Sequence, residues 1–205
     1  MAINQISIRK KFDSALKAKK FTDIAYEKAK VKFDRAKGEL LDEFEEHTVT
    51  KELRYGGLSN NSELISKGNL FSFLGFYKSD NPASVLKQYL KNIIGMDNKA
   101  KVSVFPGKTI FSFKVKVPSK SEINSSDLFK TPDGWSSRSW IQIVEEGIGN
   151  AAKYIFWSLG FGENSPSRSK TGLQLTNGKK AKNPATFKPT LYVTEILDNF
   201  KNKFK

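Results

Sequence analysis

The chain of 205 residues has no cysteine and one histidine, His47. Without cysteine it forms no disulfide, no thiolate zinc site and no cysteine nucleophile, and its composition fits a reducing compartment. A histidine-based catalytic triad would need His47, but no Gly-x-Ser-x-Gly elbow accompanies it. We interpret His47 as a surface cap at the end of a helix, where the helix dipole favours the cationic imidazole.

Long hydrophobic runs are also missing. No apolar stretch reaches the length of about 18 residues that a membrane-spanning helix requires, and the N-terminal residues Met1 to Arg9 lack the apolar core of a secretory signal. No phosphate-binding glycine loop and no metal-ligand cluster is visible in the sequence. A Ser-x-x-Lys at 167–170 lacks its companion motifs, so we interpret it as part of an exposed basic loop. We therefore predict a non-enzymatic protein with no catalytic residues, no cofactor and no metal.

Aromatic residues are abundant, since 16 Phe, 6 Tyr and 3 Trp supply material for a core. Residues 1–46 carry apolar or small residues mostly at steps of three and four, the period of one helix face: Phe12, Leu16, Phe21, Ala25, Ala29, Phe33, Ala36, Leu40 and Phe44. At about 1.5 Å per residue this helix would be about 55 Å long, whereas a compact domain of this size has a radius of gyration of about 17 Å. Such a helix needs a second surface to pack on, which predicts assembly. The alternative is a break near Lys19–Lys20, where the spacing slips, into two ordinary core helices.

The formal charge is +14, which favours a negatively charged partner such as nucleic acid, an acidic protein surface or an anionic membrane. Residues 164–190 contain no acidic residue, and their cations are Arg168, Lys170, Lys179, Lys180, Lys182 and Lys188. The acidic counterpart is the block Glu39, Asp42, Glu43, Glu45 and Glu46. Blocks of opposite sign on one chain suit head-to-tail subunit contacts. Two solvated surfaces without special meaning are the alternative.

The middle of the chain alternates predicted loops with short elements. The first helix should end near His47, and a loop rich in Gly, Ser and Asn follows at 54–69. Residues 68–76 form a short apolar run that predicts either a buried strand or aromatic core under the loop. Pro82 opens a short helix. Alternating apolar and polar residues at 102–117, around a Pro-Gly-Lys turn, predict a hairpin with one apolar face.

The C-terminal part begins with a predicted long loop at 118–134. Apolar spacing then predicts a helix from Trp140 to Leu159. Gly147 and Gly149 lie inside that helix, which suggests that another backbone, such as that of the first helix, packs close to it. A second long loop covers 160–188, with a short strand at 173–176 and an Asn-Gly turn. The last helix runs from Leu191 to about Phe204 with Thr190 as its N-cap.

The basic residues of 165–189 make nucleic acid a second candidate partner. Phosphate contacts by such residues depend on salt and not on base sequence. Phe187 is the single aromatic residue among them, which argues against a base-stacking platform, and no zinc-finger, RNA-recognition or convincing helix-turn-helix pattern is present. A solvated flexible loop is the alternative interpretation.

A set of short motifs, taken in order, carries a resemblance to a known family. The long helix ends in Glu-Phe-Glu-Glu-His-Thr-Val-Thr-Lys-Glu at 43–52, and Gly-Asn-Leu-Phe-Ser-Phe-Leu-Gly-Phe at 68–76 and the hairpin follow. After them come Arg138-Ser139-Trp140, Glu146-Gly147-Ile148, the Ser-Arg-Ser-Lys-Thr-Gly-Leu-Gln turn at 167–174 and Phe187-Lys188-Pro189. Over most of its length the chain resembles the neck or tail-completion proteins of tailed bacteriophages, a group of small head-to-tail connection proteins.

The length of 205 residues predicts a single domain, 1–205, or one domain with an extension, and the resemblance implies an α+β fold. A long N-terminal helix over 1–47 and two further helices would pack on a small antiparallel β-sheet, and a Phe-x-Pro segment would lead into the final helix. Members of this group are non-enzymatic virion components, so the resemblance provides no catalytic residues to transfer.

The resemblance also implies partners and a location. We expect a homo-oligomeric ring at the head–tail junction of the virion, made in the host cytoplasm, that contacts a head connector or stopper and tail terminator or tube proteins. The basic loop is expected to face packaged DNA or an acidic partner, and no membrane partner is expected. The N-terminal half of the first helix should lie against a neighbouring subunit. The expected subunit contacts are Lys17, Lys19, Lys20, Glu39, Glu43 and Glu46.

Overall fold

The structure of the protein is a computed structural model that describes residues 19–58, 64–65, 69–105, 108–132, 136–147, 155–156, 173–174 and 188–204. The helices in these ranges are α1 (Lys19–Glu46), α2 (Thr48–Tyr55), α3 (Leu70–Phe73), α4 (Pro82–Ile93), α5 (Lys120–Ser125), α6 (Trp140–Glu146) and α7 (Val193–Asn202). The strands are β1 (Gly95–Phe105), β2 (Lys108–Lys116), β3 (Ile155–Phe156) and β4 (Leu173–Gln174). β1 pairs antiparallel with β2, and β3 pairs antiparallel with β4. The predicted α+β class is confirmed.

The contacts within the chain group its residues into two compact units. The first unit consists of Met1–Glu39 and Asn92–Val117, and the second of Leu40–Lys91 and Pro118–Lys205. Two helices, α1 and α4, contribute residues to both units. The single domain expected from the sequence stays a prediction.

The long first helix is present, and the described part has 28 residues, or about 42 Å at 1.5 Å per residue. The predicted stripe is half-buried at Ala25 and Ala29 and buried at Phe33, Ala36, Leu40 and Phe44. Phe21 departs from it, because its side chain is 48% exposed. The first stripe positions, Phe12 and Leu16, lie outside the described residues. α1 ends at Glu46, as the sequence predicts.

The predicted hairpin is confirmed in the first unit. Val102 lies opposite Phe111 and Ala100 lies opposite Phe113, with an irregularity in the ladder between Met96 and Ala100. These four paired positions share one face because Cα partners in an antiparallel ladder point the same way. Within the same unit, the Tyr26 ring of α1 meets the Phe113 ring edge-on at 5.6 Å. α1 therefore packs on the apolar face of the hairpin.

Aromatic side chains form the core of the second unit. The ring of Trp140 lies 5.9 Å from Phe76, 6.3 Å from Phe129 and 6.4 Å from Tyr192, and all four side chains are buried. Phe76 follows α3, whose residues Leu70, Phe71 and Phe73 are buried too. The interpretation of 68–76 as aromatic core is confirmed, and the alternative of a buried strand is wrong.

Two predicted loops contain helices instead. α2 and a 3-10 turn at Gly56–Leu58 occupy the start of 54–69, and α5 with a 3-10 turn at Asp127–Phe129 occupies 118–134. α5 begins with a capping box: the Ser119 hydroxyl accepts from the Glu122 N–H at 3.1 Å, and the Glu122 carboxylate accepts from the Ser119 N–H at 2.6 Å. This reciprocal pair satisfies two N–H groups that a helix start leaves open.

α6 is shorter than predicted. It ends at Glu146 because Gly147 has φ +83°, a left-handed conformation that other residues avoid. Ile155–Phe156 is a strand, so the prediction of one helix from Trp140 to Leu159 is wrong. A Cβ on Gly147 would lie 3.0 Å from Pro189 Cγ. The close neighbour of Gly147 is therefore the side chain of Pro189 and not, as predicted, another backbone such as that of the first helix, while Gly149 lies outside the described residues.

The last helix and the second strand pair agree with the sequence in type but differ in detail. α7 buries Val193, Ile196, Leu197 and Phe200, as predicted. The N-cap of α7 is Tyr192 and not Thr190, and the Tyr192 side chain makes no capping hydrogen bond. β4 lies within the strand expected at 173–176, and the predicted Asn-Gly turn lies outside the described residues.

Candidate interaction surfaces

The acidic end of α1 is engaged within the chain. A Glu43 carboxylate oxygen accepts a hydrogen bond from the side-chain amide of Asn199 at 2.5 Å. Glu46 pairs with Lys51 at 2.6 Å and Glu39 pairs with Arg35 at 3.0 Å. The subunit contacts expected at Glu39, Glu43 and Glu46 stay predictions, and a neighbouring subunit would have to share these carboxylates with their present partners.

Glu45 is the most constrained carboxylate of the acidic block. Its carboxylate lies 2.5 Å from the Lys87 ammonium of α4 and also contacts the Arg54 guanidinium of α2. These two cations, Lys87 first, hold the pKa of Glu45 below its ordinary value, against the opposing effect of burial. Glu45 therefore joins three helices of the second unit. The sequence gives no signal for this role, because Lys87 is distant along the chain.

His47 differs from its sequence interpretation. It is the N-cap of α2, and its Nδ1 accepts a hydrogen bond from the Val49 N–H at 3.2 Å. Its ring lies 4.8 Å from that of Tyr192. Burial lowers the pKa of His47 below its ordinary value, although Glu195 and the Leu191 backbone partly offset the shift. The prediction that the cationic form is favoured here is wrong, since burial favours the neutral ring that Nδ1 needs in order to accept.

A buried hydroxyl pair lies beside His47. The Thr50 and Tyr192 hydroxyl oxygens are 2.6 Å apart, and both residues are fully buried. The Tyr192 ring also stacks on Phe44 at 5.9 Å. Burial raises the pKa of Tyr192 far above its ordinary value, so the phenol stays protonated and can donate. This hydrogen-bonded pair links α2 to the start of α7 inside the core.

Glu145 caps the last helix from a distance. One carboxylate oxygen accepts from the Thr194 N–H at 2.8 Å and from the Tyr192 N–H at 3.3 Å, and the other accepts from the Thr194 hydroxyl at 2.7 Å. The Lys120 ammonium lies 3.4 Å from Glu145 and 3.1 Å from Glu146. A carboxylate at a helix N-terminus satisfies open N–H groups and complements the helix dipole. Glu145 thus supplies the cap that the sequence predicted for Thr190.

An open depression lies beside Glu145, between α5, α6 and α7. It encloses about 310 Å³ of empty space, including solvent at its mouth, and its lining includes Lys120, Asp198 and Lys201. Lys201 pairs with Asp198 at 2.9 Å, and Glu145 is occupied by the cap. The charged groups of the depression therefore already satisfy one another.

α1 exposes a second set of apolar side chains. Phe21 and Ile24 are each 48% exposed and Val31 is 71% exposed. Their spacings of three and seven residues place them on one side of the helix, away from the buried Phe33 and Ala36. The predicted contact residues Lys19 and Lys20 are exposed at the start of α1, and Lys17 lies outside the described residues. We call Phe21, Ile24 and Val31 the exposed apolar stripe.

The polar side of the hairpin carries lysines. Lys101 lies opposite Ser112, Ser103 opposite Ile110, and Phe105 opposite Lys108. By alternation along β2, Lys114 and Lys116 share this side. We call the eight residues the lysine face: Lys101, Ser103, Phe105, Lys108, Ile110, Ser112, Lys114 and Lys116. The alternation indicated a polar face here, but sequence reasoning gave it no function.

Comparison with known proteins assigns none of these surfaces. No family model, curated protein or solved structure matches the chain. Among the described residues, no group of three or more Asp, Glu and His is placed to hold a metal ion. None of the helices in the described ranges has the length and apolarity to cross a membrane.

The predicted basic loop falls almost entirely outside the described residues. Arg168, Lys170, Lys179, Lys180 and Lys182 lie there, as does the Ser-x-x-Lys at 167–170. Lys188 is described: it is exposed, and its backbone N–H donates to the Leu64 carbonyl at 2.9 Å. The role of the loop toward DNA or an acidic partner stays a prediction.

Proposed function

We propose that this protein is a non-enzymatic structural component of the phage virion, a neck or tail-completion protein that joins the head connector to the tail as an oligomeric ring. The proposal starts from the ordered motifs of the sequence. The long first helix and the hairpin fit the architecture that the resemblance implies.

The exposed apolar stripe is the observation that carries the proposal. Phe21, Ile24 and Val31 leave apolar surface in water on a helix that already buries its opposite side. Covering such surface contributes about 25 cal/mol per Å², and contiguous apolar surface on a soluble protein commonly marks an interaction site. In the proposed ring, the stripe packs against a neighbouring subunit, which agrees with the expected role of the N-terminal half of the helix.

The alternative is a monomeric, non-specific nucleic-acid-binding protein that uses the basic 165–189 loop. Light scattering at modest salt separates the two. A ring, or a monomer that assembles only on a head connector, supports the neck proposal. A monomer that binds DNA with a steep salt dependence supports the alternative.

Labelling of phage particles tests the location directly. Particles that carry a tagged copy of this chain are expected to bind gold label at the head–tail junction in electron micrographs. Label on the capsid or at the tail tip would overturn the neck assignment.

A triple variant tests the stripe. Phe21→Gln, Ile24→Gln and Val31→Gln keep good helix formers on exposed positions and are expected to abolish ring formation while the denaturation midpoint stays unchanged. The matched control replaces three exposed apolar residues of the second unit, Val85, Leu128 and Leu191, by Gln. If the stripe variant assembles normally, or if the control prevents assembly to the same extent, the stripe is not the subunit contact.

A further inference from the structure

The lysine face presents charge that the chain does not neutralise. Lys101, Lys108, Lys114 and Lys116 are all exposed, and within the described residues none of them forms an ion pair. The one acidic residue of the two strands, Asp97, lies in the irregular stretch between Met96 and Ala100. By contrast, Lys30 on α1 pairs with Asp34 at 2.5 Å. The face therefore has four positive charges available to a partner.

The size of the face suits an extended polyanion. From Lys108 to Lys116 it spans about 27 Å at about 3.4 Å per residue, and its two strands lie about 4.8 Å apart. Each strand of duplex DNA carries one phosphate per about 3.4 Å of helix axis. The four lysines are thus distributed over several successive phosphates and are not gathered around one anion.

The other side chains of the face favour backbone contact. Ser103 and Ser112 lie among the lysines, and hydroxyls and ammonium groups are the usual partners of phosphate oxygens. The face holds no Arg, Asn or Gln, the residues that most often read base edges. Its one aromatic ring, Phe105, has the Lys108 ammonium 5.9 Å from its centre, so it does not offer the row of open rings on which single-stranded bases stack.

We propose that the lysine face binds the phosphate backbone of double-stranded nucleic acid without reading its sequence. This site is separate from the 165–189 loop. It is also independent of the neck assignment, because it rests only on the described hairpin. Label at a site other than the head–tail junction would overturn the neck proposal and would not affect the proposal for the lysine face.

The test measures binding of the full chain to duplex DNA over a range of salt concentrations. The variant replaces Lys101, Lys108, Lys114 and Lys116 by Gln. Each phosphate contact contributes about 0.9 to the magnitude of the negative slope of log affinity against log salt. The variant is therefore expected to reduce that magnitude by up to about 3.6 and to lower the affinity at low salt by at least about tenfold. The control replaces four exposed lysines of the second unit, Lys51, Lys78, Lys130 and Lys201, by Gln, and removes the same charge. Its affinity is expected to stay within about threefold of the unmodified chain.

Several outcomes would overturn the proposal. Equal losses in variant and control would show that only net charge matters. A loss confined to a Lys179, Lys180 and Lys182 variant would place the site in the loop. Tighter binding to vesicles rich in phosphatidylserine than to duplex DNA would indicate a membrane partner, and no DNA binding at low salt would indicate no site. If the quadruple variant loses its fold, the two pairs Lys101 with Lys108 and Lys114 with Lys116 are exchanged separately, and each is expected to give about half the slope change.

Discussion

The two units of the chain differ in core and in charge. Among the described residues, the first unit buries the apolar side chains of Phe33, Ala36 and Ile94, whereas the aromatic core around Trp140 belongs to the second. The described part of the first unit carries 12 Lys and Arg against 5 Asp and Glu, and that of the second carries 11 against 12. One unit thus has little core and a surplus of seven positive charges, and the other has a large core and almost balanced charge.

This difference indicates that the two units have different roles, one in stability and the other in contact with partners. In the second unit, the side chains of Glu45, Glu145 and Tyr192 each have a polar partner inside the chain: the Lys87 ammonium, the Thr194 N–H and the Thr50 hydroxyl, respectively. In the first unit, the exposed apolar stripe and the lysine face have no such partners within the described residues. We infer that the second unit determines stability and that the first unit presents the surfaces for partners.

The largest expected effect is in the core of the second unit. Trp140→Ala removes the ring that contacts Phe76, Phe129 and Tyr192 and should lower the free energy of unfolding by about 3 to 5 kcal/mol. The half-buried Phe113 of the hairpin provides the comparison, and Phe113→Ala should cost about 1 to 2 kcal/mol. Urea denaturation followed by far-UV circular dichroism measures both. Equal losses of unfolding free energy in the two variants would contradict the assignment of stability to the second unit.

A smaller effect is expected at the cap of α7. Glu145→Ala leaves the Tyr192 and Thr194 N–H groups without their acceptor and should cost about 1 to 3 kcal/mol. Glu145→Gln, which keeps an acceptor oxygen, should cost less. The control from the first unit is Asp34→Ala, which removes a surface pair with Lys30 and should change stability by at most about 0.5 kcal/mol. A larger loss for Asp34 than for Glu145 would contradict the assignment of stability to the second unit.

Replacing either of two glycines by alanine is expected to change stability, in opposite directions for the two positions. Gly147→Ala forces a Cβ into a left-handed conformation 3.0 Å from Pro189 Cγ and should destabilise by about 1 to 2 kcal/mol. Gly38 lies within α1, and a Cβ there would meet nothing within 4 Å. Gly38→Ala should therefore stabilise by about 0.5 to 1 kcal/mol. Thermal denaturation compares them, and a loss of stability at Gly38 would show that something covers this side of α1.

The sequence predicts the elements whose signal is periodic. The stripe of α1 from Ala25 to Phe44 and the alternation of β1 and β2 are read correctly, because each repeats one buried face over many residues. Some missed features had local signals: Ser119 and Glu122 are spaced as a capping box, and Gly147 is placed as a helix stop. The prediction of a loop at 118–134 outweighed the capping-box signal, and the apolar spacing from Trp140 to Leu159 outweighed the stop signal at Gly147.

The polar contacts of the second unit could not be predicted in the same way. Glu145 caps a helix that begins 48 residues later in the chain, and Lys87 reaches Glu45 from another helix. Such pairs depend on tertiary packing, and no spacing rule encodes them. For the candidate surfaces the sequence showed the polar residues of the hairpin, but the exposure of Phe21 contradicted its place in the stripe.

The smallest expected effect is a pH dependence confined to the second unit, which holds the chain's one histidine, His47. Burial lowers its pKa in the folded chain below the ordinary 6.5. Between the folded pKa and 6.5 the unfolded chain binds a proton that the folded chain does not, so stability falls as pH falls through this window and is fully present above it. Protonation also removes the Nδ1 acceptor that caps α2.

His47→Asn keeps an N-cap acceptor but removes the titration, so its unfolding midpoint in urea should change less than that of the unmodified chain between about pH 7.5 and about pH 5.5. The carboxylates with lowered pKa, Glu45 among them, titrate below this range and affect both proteins alike. Equal slopes for the two proteins would assign the pH dependence to groups other than His47. A flat profile for both would mean that the imidazole is solvated in the folded chain.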